Sequence, residues 1–177
     1  MKIALTGHTN IEKFYNKKYI GEKYDEYSYN EAYKEILFKL RKSCKIKNID
    51  FNSLILISGM ARGADEIFAD IAMNNNLKLI LSVPHSTKWH KERIYKKDLN
   101  VKIAAIKYDE ILKYKNIIDI IEVFDENAEN NYSHFTKRNQ NMVDISDFVI
   151  SYKKYESIGT NDCIQRAKEV NKYLDIY

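Results

Sequence analysis

Gly59-Met60-Ala61-Arg62-Gly63-Ala64-Asp65 is the stretch of this chain whose residue types best suit holding an anion. Two glycines four apart follow an apolar run and precede an amphipathic one, which reads as strand, tight turn and helix start. Amides at a helix start are expected to point outward, and the helix dipole favours negative charge there. Arg62 adds a guanidinium that suits a phosphate or carboxylate. Asp65, in the first turn, reads as a complement to the dipole ahead of a ribose contact. No Gly-Lys-Ser/Thr follows, so this is not a Walker loop.

Four further clusters could do chemistry. Gly7, His8 and Thr9 follow the first strand, and the last two offer donors to a phosphate or ribose. Ser157-Ile158-Gly159-Thr160-Asn161-Asp162 is a hydroxyl-rich turn before the final helix, a second anion cradle in which Thr160 also suits the N-cap position. Pro84-His85-Ser86-Thr87-Lys88-Trp89-His90 carries the only tryptophan, placed to stack on a base or to cover the sheet. His85 and His90 lack a third ligand at a fixed spacing, so no metal is expected. Arg138 and Asn139 project from a helix toward the loops, while Asp144 and Asp147 read as caps.

Alternating elements must position these groups. Strands are expected at Lys2–Thr6, Ser53–Ser58, Leu77–Val83, Ile117–Phe124 and Asp147–Tyr152. Helices are expected from Ser28 or Asn30 to about Cys44, at Arg62–Met73, through His85–Asn100 and Val101–Lys115, at Tyr132–Ser146 and at Thr160–Leu174, with a loop over Asn10–Tyr27 and a break at Asp125-Glu126-Asn127. The fold class that follows is α/β, a Rossmann-like, doubly wound and mainly parallel sheet flanked by helices. The 177 residues read as one domain, 1–177.

Composition sets bounds. With 29 Lys and Arg against 25 Asp and Glu, the charge of +4 does not by itself indicate nucleic acid. Cys44 and Cys163 form no CxxC pair and read as buried thiols in a reducing cytoplasm. Neither a signal peptide nor a membrane span is expected.

In order, the motifs TGH, ISGMARGAD, VP with a following Trp, RNxxMVDxSD and GT before the last helix resemble the SLOG superfamily (SMF/DprA and LOG proteins), and within it the small single-domain DprA-like or YspA/YpsA-like branch. The resemblance implies a nucleotide or a nucleotide-derived ligand, such as an NAD- or ADP-ribose-derived metabolite, at the loops after strands one, two and last. Gly7, His8, Gly59, Arg62, Gly63, Arg138, Asn139, Gly159 and Thr160 would line that site. The enzymatic relatives place a catalytic Glu shortly after their Gly-Thr. Here Cys163 stands in that position, with Asp162 one residue away.

The leading expectation is therefore binding without catalysis and without a cofactor. The rivals are a nucleosidase or phosphoribohydrolase using Asp162 or Asp65, and a DprA-like binder of single-stranded DNA. Lysines scattered among acids speak against nucleic acid as a partner, and a homo-oligomer is expected by analogy.

Overall fold

The structure is a computed structural model and describes residues 1–9, 11, 26–95, 101–124, 126 and 131–176. Most of the expected 10–27 loop lies outside the described residues, as do Asp125, Asn127 and the expected helical stretch 96–100. Five parallel strands form one sheet: β1 (Lys2–Gly7), β2 (Ile55–Ser58), β3 (Lys78–Pro84), β4 (Ile117–Val123) and β5 (Phe148–Tyr152). Their order is β4-β3-β2-β1-β5. The helices are α1 (Glu26–Lys47), α2 (Ala64–Asn74), α3 (Thr87–Tyr95), α4 (Val101–Leu112), α5 (Asn131–Ile145) and α6 (Ile158–Glu169).

Side chains that alternate along a strand divide the core into two layers. Ile3, Leu5, Leu56, Leu79, Leu81 and Ile150 face one way, onto Ile36 and Leu40 of α1, Phe68 of α2 and Tyr108 of α4. Ala4, Ile57, Ile80 and Val149 face the other way, onto Met142 and Val143 of α5 and Cys163 and Ala167 of α6. Central strands buried on both faces are why β2 and β3 read as apolar runs. The expected doubly wound sheet is the one observed.

Asparagine replaces glycine at helix ends. Asn48, Asn76 and Asn171 take left-handed φ values of 52°, 54° and 56° just beyond α1, α2 and α6. Asn171 accounts for one departure from the sequence expectation, since the last helix ends at Glu169 and does not reach Leu174. Beyond the turn, Val149 N–H donates to Lys172 O at 2.8 Å and Leu174 N–H to Val149 O at 2.9 Å. The C-terminal segment therefore closes the outer edge of β5. No helix among the described residues is long and apolar enough to cross a membrane.

Candidate functional site

The strand order fixes where a ligand crevice lies. The chain leaves β1 for α1 on one face of the sheet and leaves β5 for α6 on the other, so the crossovers diverge between β1 and β5. In open α/β sheets such a switch point, at the carboxyl ends of the strands, is where ligands bind. The loops carrying Gly7-His8-Thr9 and Ser157–Asn161 meet there.

The loop after β2 is closed by the protein itself. Met60 N–H donates to Ser58 Oγ (3.2 Å), Ala61 N–H to Asp65 Oδ2 (3.3 Å) and Gly63 N–H to Glu66 Oε2 (3.2 Å). Ala64 N–H donates to His8 O at 3.0 Å. The outward-pointing amides expected here are therefore occupied, and the Met60 side chain is buried in the core. Arg138 reaches the loop from α5, with Nη1 donating to Gly59 O at 2.5 Å and to Asp65 Oδ2 at 3.1 Å. A Cβ on Gly59 would fall 1.7 Å from Arg138 Nη1. Arg138 is thus 7% exposed and holds the loop, where the sequence had placed it against a ligand.

Burial raises the Asp65 pKa above the ordinary carboxylate range, against the pull of Arg138. Glu66 is fully buried and pushed up to about 8 by desolvation, opposed by the bond from Gly63 N–H. Its Oε1 has no hydrogen-bond partner among the described residues. Arg62 stays half-buried at the mouth of this loop.

Packing explains two more glycines. A Cβ on Gly7 would lie 2.5 Å from the Ala64 Cβ, where the start of α2 presses on β1. Gly63 has φ +84°, and a Cβ there would sit 2.5 Å from His8 O and 2.6 Å from Thr9 O. Gly63→Ala is expected to cost about 2–4 kcal/mol, from a left-handed L-residue and a clash with backbone, read as a lowered midpoint in urea. The same change at Gly159, where a Cβ meets nothing within 4 Å, is expected to be neutral or slightly stabilising.

His8 is a stitch between loops, its Nε2 and ring face both turned to the segment 154–155. Its Nε2 accepts from Lys154 N–H (2.8 Å) and Tyr155 N–H (3.2 Å), and its ring stacks on Tyr155 with centroids 3.7 Å apart. The accepting nitrogen places the imidazole proton on Nδ1.

The start of α6 is open. Ser157 is its N-cap and makes no side-chain capping bond. Thr160, expected as the cap, instead sits in the first turn with Oγ1 3.2 Å from Gly7 O and 3.1 Å from Ser157 Oγ. Asn161 N–H makes the first helical bond, to Ser157 O. Among the described residues, nothing accepts from the amides of Ile158, Gly159 and Thr160.

Asn139 steadies this end from below, its Nδ2 donating to Gly159 O (3.2 Å) and Asp162 Oδ2 (3.1 Å). Arg166 Nε donates to Asp162 Oδ1 at 3.0 Å. Asp162 is thereby engaged on both oxygens, as a latch between α5 and α6. Asn161 turns away to Glu156. Cys163 is buried beneath, and desolvation pushes its thiol up to about 11, so it is no nucleophile near neutral pH.

At the β3–β4 end of the rim, Trp89 belongs to an aromatic cluster. His85, Phe124 and His134 pack with ring centroids 4.8–5.5 Å apart. Trp89 stacks on His85 at 5.3 Å, and the Arg93 guanidinium lies 5.3 Å from the Trp89 ring. Phe124 is 54% exposed. His90, next to this cluster, is held neutral, its pKa lowered to about 3 by burial and then by Arg138. No group of three His, Cys, Asp or Glu among the described residues is placed to hold a metal ion. Sequence reasoning missed Phe124, His134, Tyr155 and Glu66. Only Glu66 left a signal, three residues beyond Gly63 as a capping box requires.

No family model matches the sequence, and no curated protein does. Solved structures similar to the chain include two of DNA processing protein A. DNA processing protein A from Streptococcus pneumoniae matches with a TM-score of 0.58 at 17% identity, over 99% of this chain and 50% of that one. DNA processing protein A from Helicobacter pylori, whose structure is described for its single-stranded DNA binding mode, matches with a TM-score of 0.57 at 19% identity, over 99% of this chain and 64% of that one. The chain thus spans about half to two thirds of the length of these proteins. The second match corrects the expectation that set nucleic acid aside, since a protein of this same fold is described as binding single-stranded DNA. This chain has the Rossmann-like α/β fold of the DNA processing protein A structures.

Proposed function

We propose that this chain binds single-stranded nucleic acid across the carboxyl rim of its sheet, seating a backbone phosphate at the start of α6 and stacking bases on the cluster around Trp89. The observation that carries this reading is the uncapped start of α6 at the switch crevice. Three glycines of the rim are needed by internal packing or backbone conformation. Gly159 is needed by neither, and its bare backbone leaves room for close approach by an anion. Lys153 and Lys154 lie in the loop that leads to this helix, in ion pairs with Glu156 and Glu35 that exposure makes weak. Aromatic faces beside cations are the usual means of holding single strands without reading their sequence. The fold likeness to a single-stranded DNA binder points the same way.

A second reading is a single nucleotide or an NAD- or ADP-ribose-derived ligand. It is favoured by one feature: the amides of Met60, Ala61, Gly63 and Ala64 in the loop after β2 are taken, which leaves the start of α6 as the open helix end of the crevice. Both readings are of binding without turnover: Asp162 has both oxygens engaged by Asn139 and Arg166, and Asp65 is buried with its Oδ2 held by Arg138 and Ala61 N–H.

Gly159→Asp tests the proposed phosphate seat. A carboxylate there complements the helix dipole, so thermal stability is expected to be unchanged or slightly raised. Affinity for a fluorescent single-stranded oligonucleotide is expected to fall about tenfold or more, by repulsion of the phosphate. Unchanged affinity in a stably folded Gly159→Asp protein would remove the α6 site from the account.

A further inference from the structure

Trp89 does not present a bare face. The His85 ring stacks on it at 5.3 Å, tilted by 22°. The same imidazole meets Phe124 at 4.8 Å and His134 at 5.2 Å, edge to face with both. A flat heterocycle thus already fills a slot between a tryptophan face and two further rings, the kind of surroundings in which an unpaired base is held. His85 occupies this slot against two penalties. Its φ is +60°, in the left-handed region that residues with a β-carbon seldom adopt. Its Nδ1 is buried and has no hydrogen-bond partner among the described residues. Among the described residues packed around Trp89, His85 alone has left-handed backbone.

The local hydrogen bonds fix Trp89 and leave His85 on a pivot. Trp89 lies in the first turn of α3, whose start is capped twice: Ser86 Oγ accepts from Trp89 N–H (3.1 Å) and Glu122 Oε1 from Thr87 N–H (2.8 Å). His85 precedes that cap. Its N–H donates to Val123 O at 2.8 Å, which anchors the nitrogen while rotation about N–Cα swings the ring. Arg93, one turn along α3 from Trp89, lies over the Trp89 and Phe135 rings at 5.3 and 5.8 Å. A cation therefore stays beside the slot when the imidazole leaves it.

We propose that the His85 imidazole is a placeholder for a base: it fills the slot against Trp89 and swings out when an unpaired base enters. This rests on the reading of the rim as a binder of single strands. The structure has the ring in the slot, so its stacking contacts outweigh the left-handed backbone and the unpartnered nitrogen. The remaining margin opposes entry of a base, and the two penalties keep that margin small. His85 therefore weakens binding of bases, and removing its ring strengthens it, because the competent arrangement no longer has to be reached first. A residue that simply contacted the strand would act in the opposite direction.

Fluorescence anisotropy of the full chain with a short single-stranded oligonucleotide, and with the same backbone abasic throughout, tests the exchange. His85→Gly removes the ring and suits the left-handed φ. His85→Asn also tolerates that backbone and is too short to fill the slot, so the pair separates a lost ring from a loosened chain. Circular dichroism verifies that each variant keeps the fold. Both are expected to bind the oligonucleotide about three- to tenfold more tightly than the parent, the range for losing one or two ring contacts that a base has to displace. On the abasic strand the parent and both variants are expected to bind alike, since no base competes for the slot. A folded variant that binds the oligonucleotide no more tightly than the parent overturns this inference alone. So does an equal gain on the abasic strand. Failure of parent and variants alike to bind any strand overturns the proposed function, and this inference with it.

Discussion

Arg138→Met is expected to lower the stability of this protein by about 3–5 kcal/mol, the range for breaking a buried ion pair from one side. The guanidinium satisfies Gly59 O and Asp65 Oδ2 in a place with almost no solvent. Methionine fills similar volume but leaves a buried carboxylate without its cation and a carbonyl without a donor. Two features separate this cause from lost packing. Asp65→Asn combined with Arg138→Met is expected to recover part of the loss, since the orphaned charge is gone. The deficit of Arg138→Met is also expected to be larger at pH 8 than at pH 5. Burial already raises the Asp65 pKa, and without Arg138 it rises further, so acid supplies the proton that relieves the site. Urea unfolding of the parent and the two variants at both pH values measures these terms. Equal losses at both pH values, with no recovery in the double variant, would assign Arg138 to packing alone.

Glu66→Gln carries the other large effect, with the opposite sign. The folded protein holds this carboxyl at about 8, against an ordinary value of 4.5. Below 4.5 both folded and unfolded chains are protonated, and the group contributes no pH dependence. As pH rises from 4.5 to about 8, the unfolded chain releases its proton while the folded one retains it, so stability falls across this window. At ~1.4 kcal/mol per pH unit, the full loss approaches about 5 kcal/mol. Glutamine keeps an acceptor for Gly63 N–H and carries no charge. The variant is therefore expected to match the parent near pH 5 and to exceed it by several kcal/mol near pH 8.5. Parallel pH profiles for the two proteins would show that Glu66 ionises freely in the folded state.

Much of the architecture was legible because it rests on periodicity. Apolar runs of strand length, alternating with 3.6-residue patterns, identify a parallel sheet in which Ile57 and Ile80 face one helix layer and Leu56 and Leu79 the other. The glycine motif at 59–63 was legible as a turn but not as a closed one. Its amides are taken by Ser58, Asp65 and Glu66, whose side chains fold back locally, and by His8 O from another loop. Whether a loop presents amides or spends them is decided by rotamers and tertiary contacts.

Arg138 stands 79 positions beyond Gly59, and nothing in its neighbours says which loop it will hold. The same holds for Phe124 and His134, brought onto His85 by strand order. At α6 the motif was legible in place but misassigned in detail. Thr160 suits a cap by type, yet the helix begins at Ile158 and the hydroxyl turns to Gly7 O.

The most direct test of the account is the affinity of the unmodified chain for a short single-stranded oligonucleotide, measured by fluorescence anisotropy from about 50 to 200 mM salt. Salt-dependent binding is expected, with a log–log slope of about −0.7 for each phosphate neutralised, competed by unlabelled single strand far better than by AMP or ADP-ribose. An oligonucleotide that fails to bind even at the lowest salt, or a signal displaced as readily by one nucleotide as by a strand, would contradict it.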